Sequence, residues 1–280
     1  MNLAYGTYGM PGIRPEDALP PLAAIGYRGV ELAVGERFCT VPEEMSSADR
    51  SALRELYQSL GLGVPAVLML LPVMHDDPDV HRRNLDAFRQ GAELAVEVTA
   101  ERTPVVTSTM GGGSGPWEQF RDELLRRLRQ YARICEQVGC TFAIEPHVGG
   151  AFDRPERAVW AMETLQHPCV KLNFDISHFA VAGYTLEQTV PVLVPYAVHT
   201  HVKDGRMVDG KVQFLLPGEG DFDYAAYFRA MHAAGWDDHV TVEVSGMVSS
   251  RQGYDPYEAA AFCFDALSQA LNDAGVEADS

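Results

Sequence analysis

The segment AVHTHVKD, residues 197–204, follows the apolar run PVLVPY and carries two histidines, a lysine and an aspartate. Side chains alternate along a strand, so His199, His201 and Lys203 share one face and Val198, Thr200 and Val202 the other. Burying imidazole and ammonium groups is costly unless they are paired or bound to something. The segment therefore predicts a strand whose polar face is either wet or engaged with a metal or substrate. What else points at the same place decides between these.

Outward from this segment, short β-rich runs alternate with longer amphipathic ones. The other strand candidates are LAYGTYG (3–9), GVELAV (29–34), GVPAVLML (63–70), TPVVTST (103–109), TFAIEPH (141–147), VKLNFDIS (170–177) and HVTVEVS (239–245). Between and after them, segments 47–61, 77–95, 116–139, 222–236 and 255–275 have apolar residues at a period near 3.6. Gly61, Gly139 and Gly235 stand where helices end, and the Asp-Pro pairs at 77–78 and 255–256 where helices begin. Eight strands with intervening helices and a final helix predict an α/β fold, a (β/α)8 barrel forming a single domain over residues 1–280. The competing design is an open doubly wound sheet. The strand count reaches eight with no spare element, and no strand-linked GxGxxG stands near the N-terminus, which favours the barrel.

The bulk numbers restrict partners. With 46% hydrophobic residues the 280-residue chain has ample material for a large core. A formal net charge of -17 argues against nucleic acid and against an acidic membrane surface. The five cysteines are scattered without a CxxC pair, which suits reduced thiols and a cytoplasmic location. The N-terminal MNLAYGTYGM has no basic stretch before an apolar run, so no secretion signal is expected. The apolar VPAVLMLLPVM is too short to span a bilayer.

In such a barrel the C-terminal ends of the strands build the active site. The fifth strand candidate ends in Glu145 and His147, and the sixth supplies Asp175 with His178 just beyond. The seventh supplies His199, His201 and Lys203, and the eighth carries Glu243 between valines. Each alone has a structural explanation: a solvated anchor, an ion-pair partner, a hydrogen-bonded core imidazole. Four successive strands ending this way crowd carboxylates that repel one another without a cation. Oxygen ligands with one imidazole suit one divalent ion, Mn²⁺, Mg²⁺ or Co²⁺, with Zn²⁺ as the alternative.

At this point the chain resembles the xylose isomerase-like TIM barrels, the sugar phosphate isomerase/epimerase superfamily. The likeness runs through GYRGVELAV, AIEPH, NFDISH, HTHVKD and GEGDFDYAAYFRAMHAAGWDDHVTVEVS. It implies that Glu145, Asp175, His201 and Glu243 bind one metal, and that His178, on a D-x-x-H pattern, contacts substrate or a further metal. It further implies a small sugar or cyclitol substrate, with homo-oligomers common among relatives. Glu145 and Glu243 would then be catalytic, one removing the proton beside a metal-polarised carbonyl and the other returning it through an enediolate. Return to the opposite face of the same carbon is epimerisation; return to the neighbouring carbon is isomerisation. Lys203 would face substrate oxygens or an acidic ligand, and His199 would support the site from deeper in the barrel.

Other residues have lesser claims. His147 and Arg206 are candidate substrate-binding groups, and Glu31 and His75 either reach substrate or make structural hydrogen bonds. The glycine-rich 109–117 offers a weak phosphate site, and PGEG (217–220) reads as a turn. Ketohexose 3-epimerases of the group place a further Glu where this chain has Ala151, which argues against that subtype. The alternatives are a lyase or dehydratase acting through the same proton abstraction, a barrel that only binds a sugar or metal, and, remotely, a DNA-repair enzyme of the endonuclease IV type. That last reading requires histidines that ELAVGERF lacks and a D-x-H that VDGKVQFLL lacks.

Overall fold

The computed structural model describes residues 1–100, 102–111 and 115–276. Eight parallel strands close into a barrel. They are β1 (Asn2–Gly6), β2 (Gly29–Val34), β3 (Val67–Met69), β4 (Val105–Ser108), β5 (Thr141–Ile144), β6 (Val170–Asp175), β7 (Ala197–Val202) and, after the hairpin below, β10 (His239–Val242). The order around the ring is β1-β10-β7-β6-β5-β4-β3-β2, so chain neighbours are spatial neighbours apart from the closing β1–β10 pair, Asn2 opposite His239 to Tyr5 opposite Val242. This is the (β/α)8 architecture expected from the alternation.

Helices α1 (Pro15–Ile25), α2 (Ser47–Ser59), α3 (Pro78–Val98), α4 (Trp117–Val138), α5 (Pro155–Leu165), α6 (Ile176–Val181) and α7 (Leu186–Leu193) follow strands β1 to β6. Asp77 caps α3 by accepting from the Asp79 and Val80 amides, with Pro78 in the first turn, where no amide is needed. Gly139 ends α4 in the left-handed conformation. The core is aromatic where α3 and α4 meet β5: Phe88, Tyr131 and Phe142 are fully buried, with ring centroids 4.9–5.0 Å apart. Gly91 lets α3 lie close against β3, because a Cβ there would lie 2.3 Å from Met69 Sδ.

Two expectations need correction. Strand β3 is shorter than GVPAVLML: Pro65 has no amide to donate, and Gly63 joins β2 only through an isolated bridge to Gly29. The strand count also had spare elements after all. After β7 the chain makes an antiparallel hairpin, β8 (Asp204–Val208) and β9 (Lys211–Leu215), before α8 (Tyr224–Ala233) and β10. Its turn is Asp209-Gly210, with φ of 50° and 74°, the left-handed pair that a two-residue hairpin loop demands. The short α9 (Gly246–Ser249) and the long α10 (Pro256–Ala274) complete the described chain.

Candidate metal centre

Four side chains converge at the C-terminal rim. Glu145 follows β5, held before Pro146. Asp175 ends β6, His201 lies on β7 opposite Asp175 in register, and Glu243 follows β10. Each offers one ligand atom such that all four lie within 4.8 Å of one another. Asp175 and His201 are 0% exposed, and the side chains of Glu145 and Glu243 only 10% and 12%, so all four are largely shielded from water.

Local structure fixes each group. Asp175 is also the N-cap of α6, its Oδ1 accepting from the Ser177 amide at 2.8 Å. Its Oδ2 accepts from Lys203, whose ammonium also donates to Glu243 Oε2. The alternation of β7 puts Lys203 on the same face as His199 and His201. The ammonium is buried and lies 5.1 Å from the ring centroid of Phe214 on β9, so the unforeseen hairpin supplies one wall of the site.

His201 is held from both sides. Its Nε2 lies 2.9 and 3.1 Å from the two oxygens of Glu31 on β2, a fully buried carboxylate that also meets His199 Nε2 at 2.7 Å. Its Nδ1 faces Glu145 Oε1 at 3.2 Å, Glu243 Oε1 at 3.8 Å and the Asn173 amide nitrogen at 3.1 Å. An imidazole that donates Nε2–H to Glu31 presents its Nδ1 lone pair to the cluster, the arrangement by which a carboxylate orients a ligating histidine. Glu31 hydrogen-bonds both histidines, and Glu31, His199 and His201 also bring ligand atoms within 4.8 Å of one another, a second group that could hold an ion.

Charge is strongly coupled here. Burial works against ionising Glu31, but His201 and His199 outweigh it and hold its pKa down to about 2. Burial likewise opposes ionisation of Glu145, yet the imidazoles of His178 and His201 and the charge of Lys203 keep its pKa well below the usual range. Asp175 is lowered chiefly by Lys203 against the same penalty. Burial disfavours the Lys203 ammonium and the His201 imidazolium, but the surrounding carboxylates raise both.

The donor set fits a divalent cation: three carboxylates and one oriented imidazole, oxygen-rich with a single nitrogen. A second observation agrees. His178, 2% exposed on α6, makes no hydrogen bond through either ring nitrogen, although Nε2 lies 3.5 Å from Asp175 and 3.8 Å from Glu145. The exposed His147 packs against it with the rings tilted by 42° and centroids 3.9 Å apart, and its Nδ1 lies 2.9 Å from the Val148 carbonyl. Arg206 projects from β8 into solvent, its Nε donating to Gln213 at 2.8 Å. His75 accepts from the Asp77 amide in a local turn. The PGEG segment is a turn, Gly218 and Gly220 both donating to Asp204 Oδ2. Residues 112–114 of the glycine-rich segment lie outside the described residues.

Asn173 was not singled out from sequence. Its amide donates to Glu145 Oε1 at 3.2 Å and to Thr107 Oγ1 at 3.3 Å, bracing the first ligand. The signal was present: two residues before Asp175 on one strand, it had to share that residue's face.

A family model described as xylose isomerase-like TIM barrel matches residues 19–266. The chain belongs to that family. Among curated relatives, the inosose dehydratase of Geobacillus kaustophilus is 20% identical over 258 residues, 81% of this chain and 79% of that protein. The inosose dehydratase of Lactiplantibacillus plantarum is 24% identical over 139 residues, 44% of this chain, and the alignment spans less than half of that relative, 46%. Among solved structures, the IolI protein with a bound zinc atom superposes with a TM-score of 0.76 at 19% identity, covering 98% of both chains. An L-ribulose 3-epimerase gives 0.78 at 17% identity, covering 98% of this chain and 95% of that one. No helix among the described residues is long and apolar enough to cross a membrane.

Proposed function

We propose that this member of the family is a divalent-metal-dependent isomerase or epimerase of a small keto-sugar or inosose-type substrate. The observation that carries this is the convergence of Glu145, Asp175, His201 and Glu243 on one point at the barrel mouth. Those four residues would hold the ion, which when bound would polarise a substrate carbonyl as a Lewis acid. Glu145 and Glu243 approach the cluster from β5 and β10, with β6 and β7 between them in the ring. One carboxylate removes the proton from the carbon beside the carbonyl and the other returns it. Glu145 starts ionised, held in its charged form by His178, His201 and Lys203 against the cost of burial. Glu31, Asn173 and Ser177 orient the acceptors, and Phe214 limits water on the hairpin side.

A second reading has its own observation. His178 makes no hydrogen bond through its ring nitrogens, with Nε2 at 3.5 Å from Asp175 and 3.8 Å from Glu145 and the tilted ring of His147 against it at the exposed edge. An imidazole so placed can protonate a leaving hydroxyl after the same proton abstraction, which gives a dehydratase. The inosose dehydratases among the relatives support this reading, as the L-ribulose 3-epimerase supports the first.

One experiment tests both. Metal content is measured on the purified protein, which is then incubated with keto-sugars and inososes in deuterated water with Mn²⁺, Mg²⁺, Co²⁺ or Zn²⁺. Deuterium at the carbon beside the carbonyl without loss of water supports the isomerase or epimerase. Elimination of water supports the dehydratase. No exchange with any metal overturns both.

A further inference from the structure

The oxygens that a cation would use are already engaged by a charge from the same chain. Asp175 has given Oδ1 to the Ser177 amide, so Oδ2 is the atom it has left to offer, and Lys203 holds it. Glu243 turns Oε1 toward His201 and gives Oε2 to the same ammonium. Lys203 is 3% exposed and, among the described residues, has no partner outside this acidic group except the Phe214 ring. Apart from Lys203, the side chains that meet Glu31, Glu145, Asp175 and Glu243 include the imidazoles of His201, His199 and His178 and the neutral amide of Asn173.

An ammonium has three N–H donors and no lone pair, so it neutralises carboxylates but cannot ligate a metal beside them. It also repels a divalent ion drawn to the same oxygens. We propose that Lys203 is a displaceable internal counter-ion. Without a divalent cation its ammonium holds Asp175 and Glu243 in ligating positions; when the cation enters, the ammonium leaves both. The inference rests on the metal reading of this site and adds to it an exchange of one cation for another. Lysine is suited to the task because its charge rides on a flexible four-carbon stem, and the Phe214 ring at 5.1 Å offers the displaced ammonium an aromatic face.

The test compares metal-stripped wild type with Lys203→Met by calorimetric titration of zinc chloride, with circular dichroism to verify folding. Removing the competitor should tighten zinc binding about tenfold or more; equal or weaker affinity overturns the exchange. A measurement on the wild type keeps the test decisive should the Met variant misfold. The chain has three lysines, Lys171, Lys203 and Lys211. With ¹⁵N-lysine labelling, and assignments from Lys171→Arg and Lys211→Arg, zinc should move the Lys203 side-chain resonance while the other two stay. An unmoved Lys203 signal in a zinc-loaded protein overturns the proposal. Failure of zinc to bind either form overturns the metal centre and the exchange together, whereas equal binding to both overturns the exchange alone.

Discussion

Each end of the barrel carries a cation set among carboxylate and imidazole, and the two ends are built differently. At the N-terminal end Arg102, just before β4, lies 2.7 Å from Asp238, just before β10, and Asp238 also accepts from His239 Nδ1 at 2.8 Å. One carboxylate answers one guanidinium and one imidazole, the side chains of Arg102 and Asp238 are 28% and 32% exposed, and His239 with Arg102 holds Asp238 well ionised against partial burial. At the C-terminal end Lys203 faces an excess of carboxylates, with Asp175 fully buried. The first arrangement closes its charge within the chain and needs nothing further. The second leaves acid in surplus where water is scarce, an expensive state unless another cation shares it. In barrels of this type the first end serves stability and the second chemistry.

The sharpest way to break that contrast is to neutralise the proton-transferring carboxylates. Glu145→Gln and Glu243→Gln keep size and hydrogen-bonding capacity but cannot take a proton. Each should lower solvent-deuterium exchange into substrate about 10³-fold at matched metal loading, the usual worth of a positioned acid or base. Melting temperature measured alongside separates this from unfolding. A loss below tenfold for both would mean that the C-terminal cluster is only another structural ion group.

Glu31→Gln comes next. It leaves His201 in place but removes the charge that orients it, so metal affinity measured by titration should fall about 10- to 100-fold. The same residue sets a pH dependence. Its pKa of about 2 lies below the unchanged value of 4.5, so its contribution to stability is complete above pH 4.5 and is lost as pH falls through about 2. That interval corresponds to about 3 kcal/mol at most. Denaturant melts of metal-free protein from pH 6 to 2.5 should show a steeper acid loss in wild type than in Glu31→Gln. Parallel curves would show that Glu31 is not the charge holding the two histidines.

These predictions draw on parts of the molecule that were unequally legible in the sequence. Barrel and rim could be read because a period of two near TFAIEPH, VKLNFDIS and AVHTHVKD fixes which side chains share a face, and parallel strands put those faces at one mouth. The same rule places Lys203 beside His201 but says nothing about which carboxylate oxygen its flexible stem will reach, and so the bridge between Asp175 and Glu243 could not be foreseen. Glu31 in GVELAV was visible yet ambiguous, because its partners lie 168 and 170 residues away, across the barrel interior. The hairpin was missed for a different reason. Asp209-Gly210 is a strong two-residue turn signal, but a strand count already complete at eight left no place for it.

The smallest effect belongs to the other end of the barrel, and it is the control for all the rest. Arg102→Ala removes a pair that is roughly a third exposed, so screening by water limits its worth to about 1 kcal/mol or less of stability. Asp238 and Glu243 flank the same strand, β10, and five residues of extended chain separate them by about 17 Å. The Arg102 charge does reach inward to His199, whose protonation it opposes, but over that distance its effect on the four candidate ligands should be small. Arg102→Ala should therefore lower the melting temperature slightly and leave zinc affinity and deuterium exchange within twofold of wild type. A larger change in either would mean that strain passes along β10 from its anchored start to Glu243, and the two ends would then have to be treated as one coupled unit.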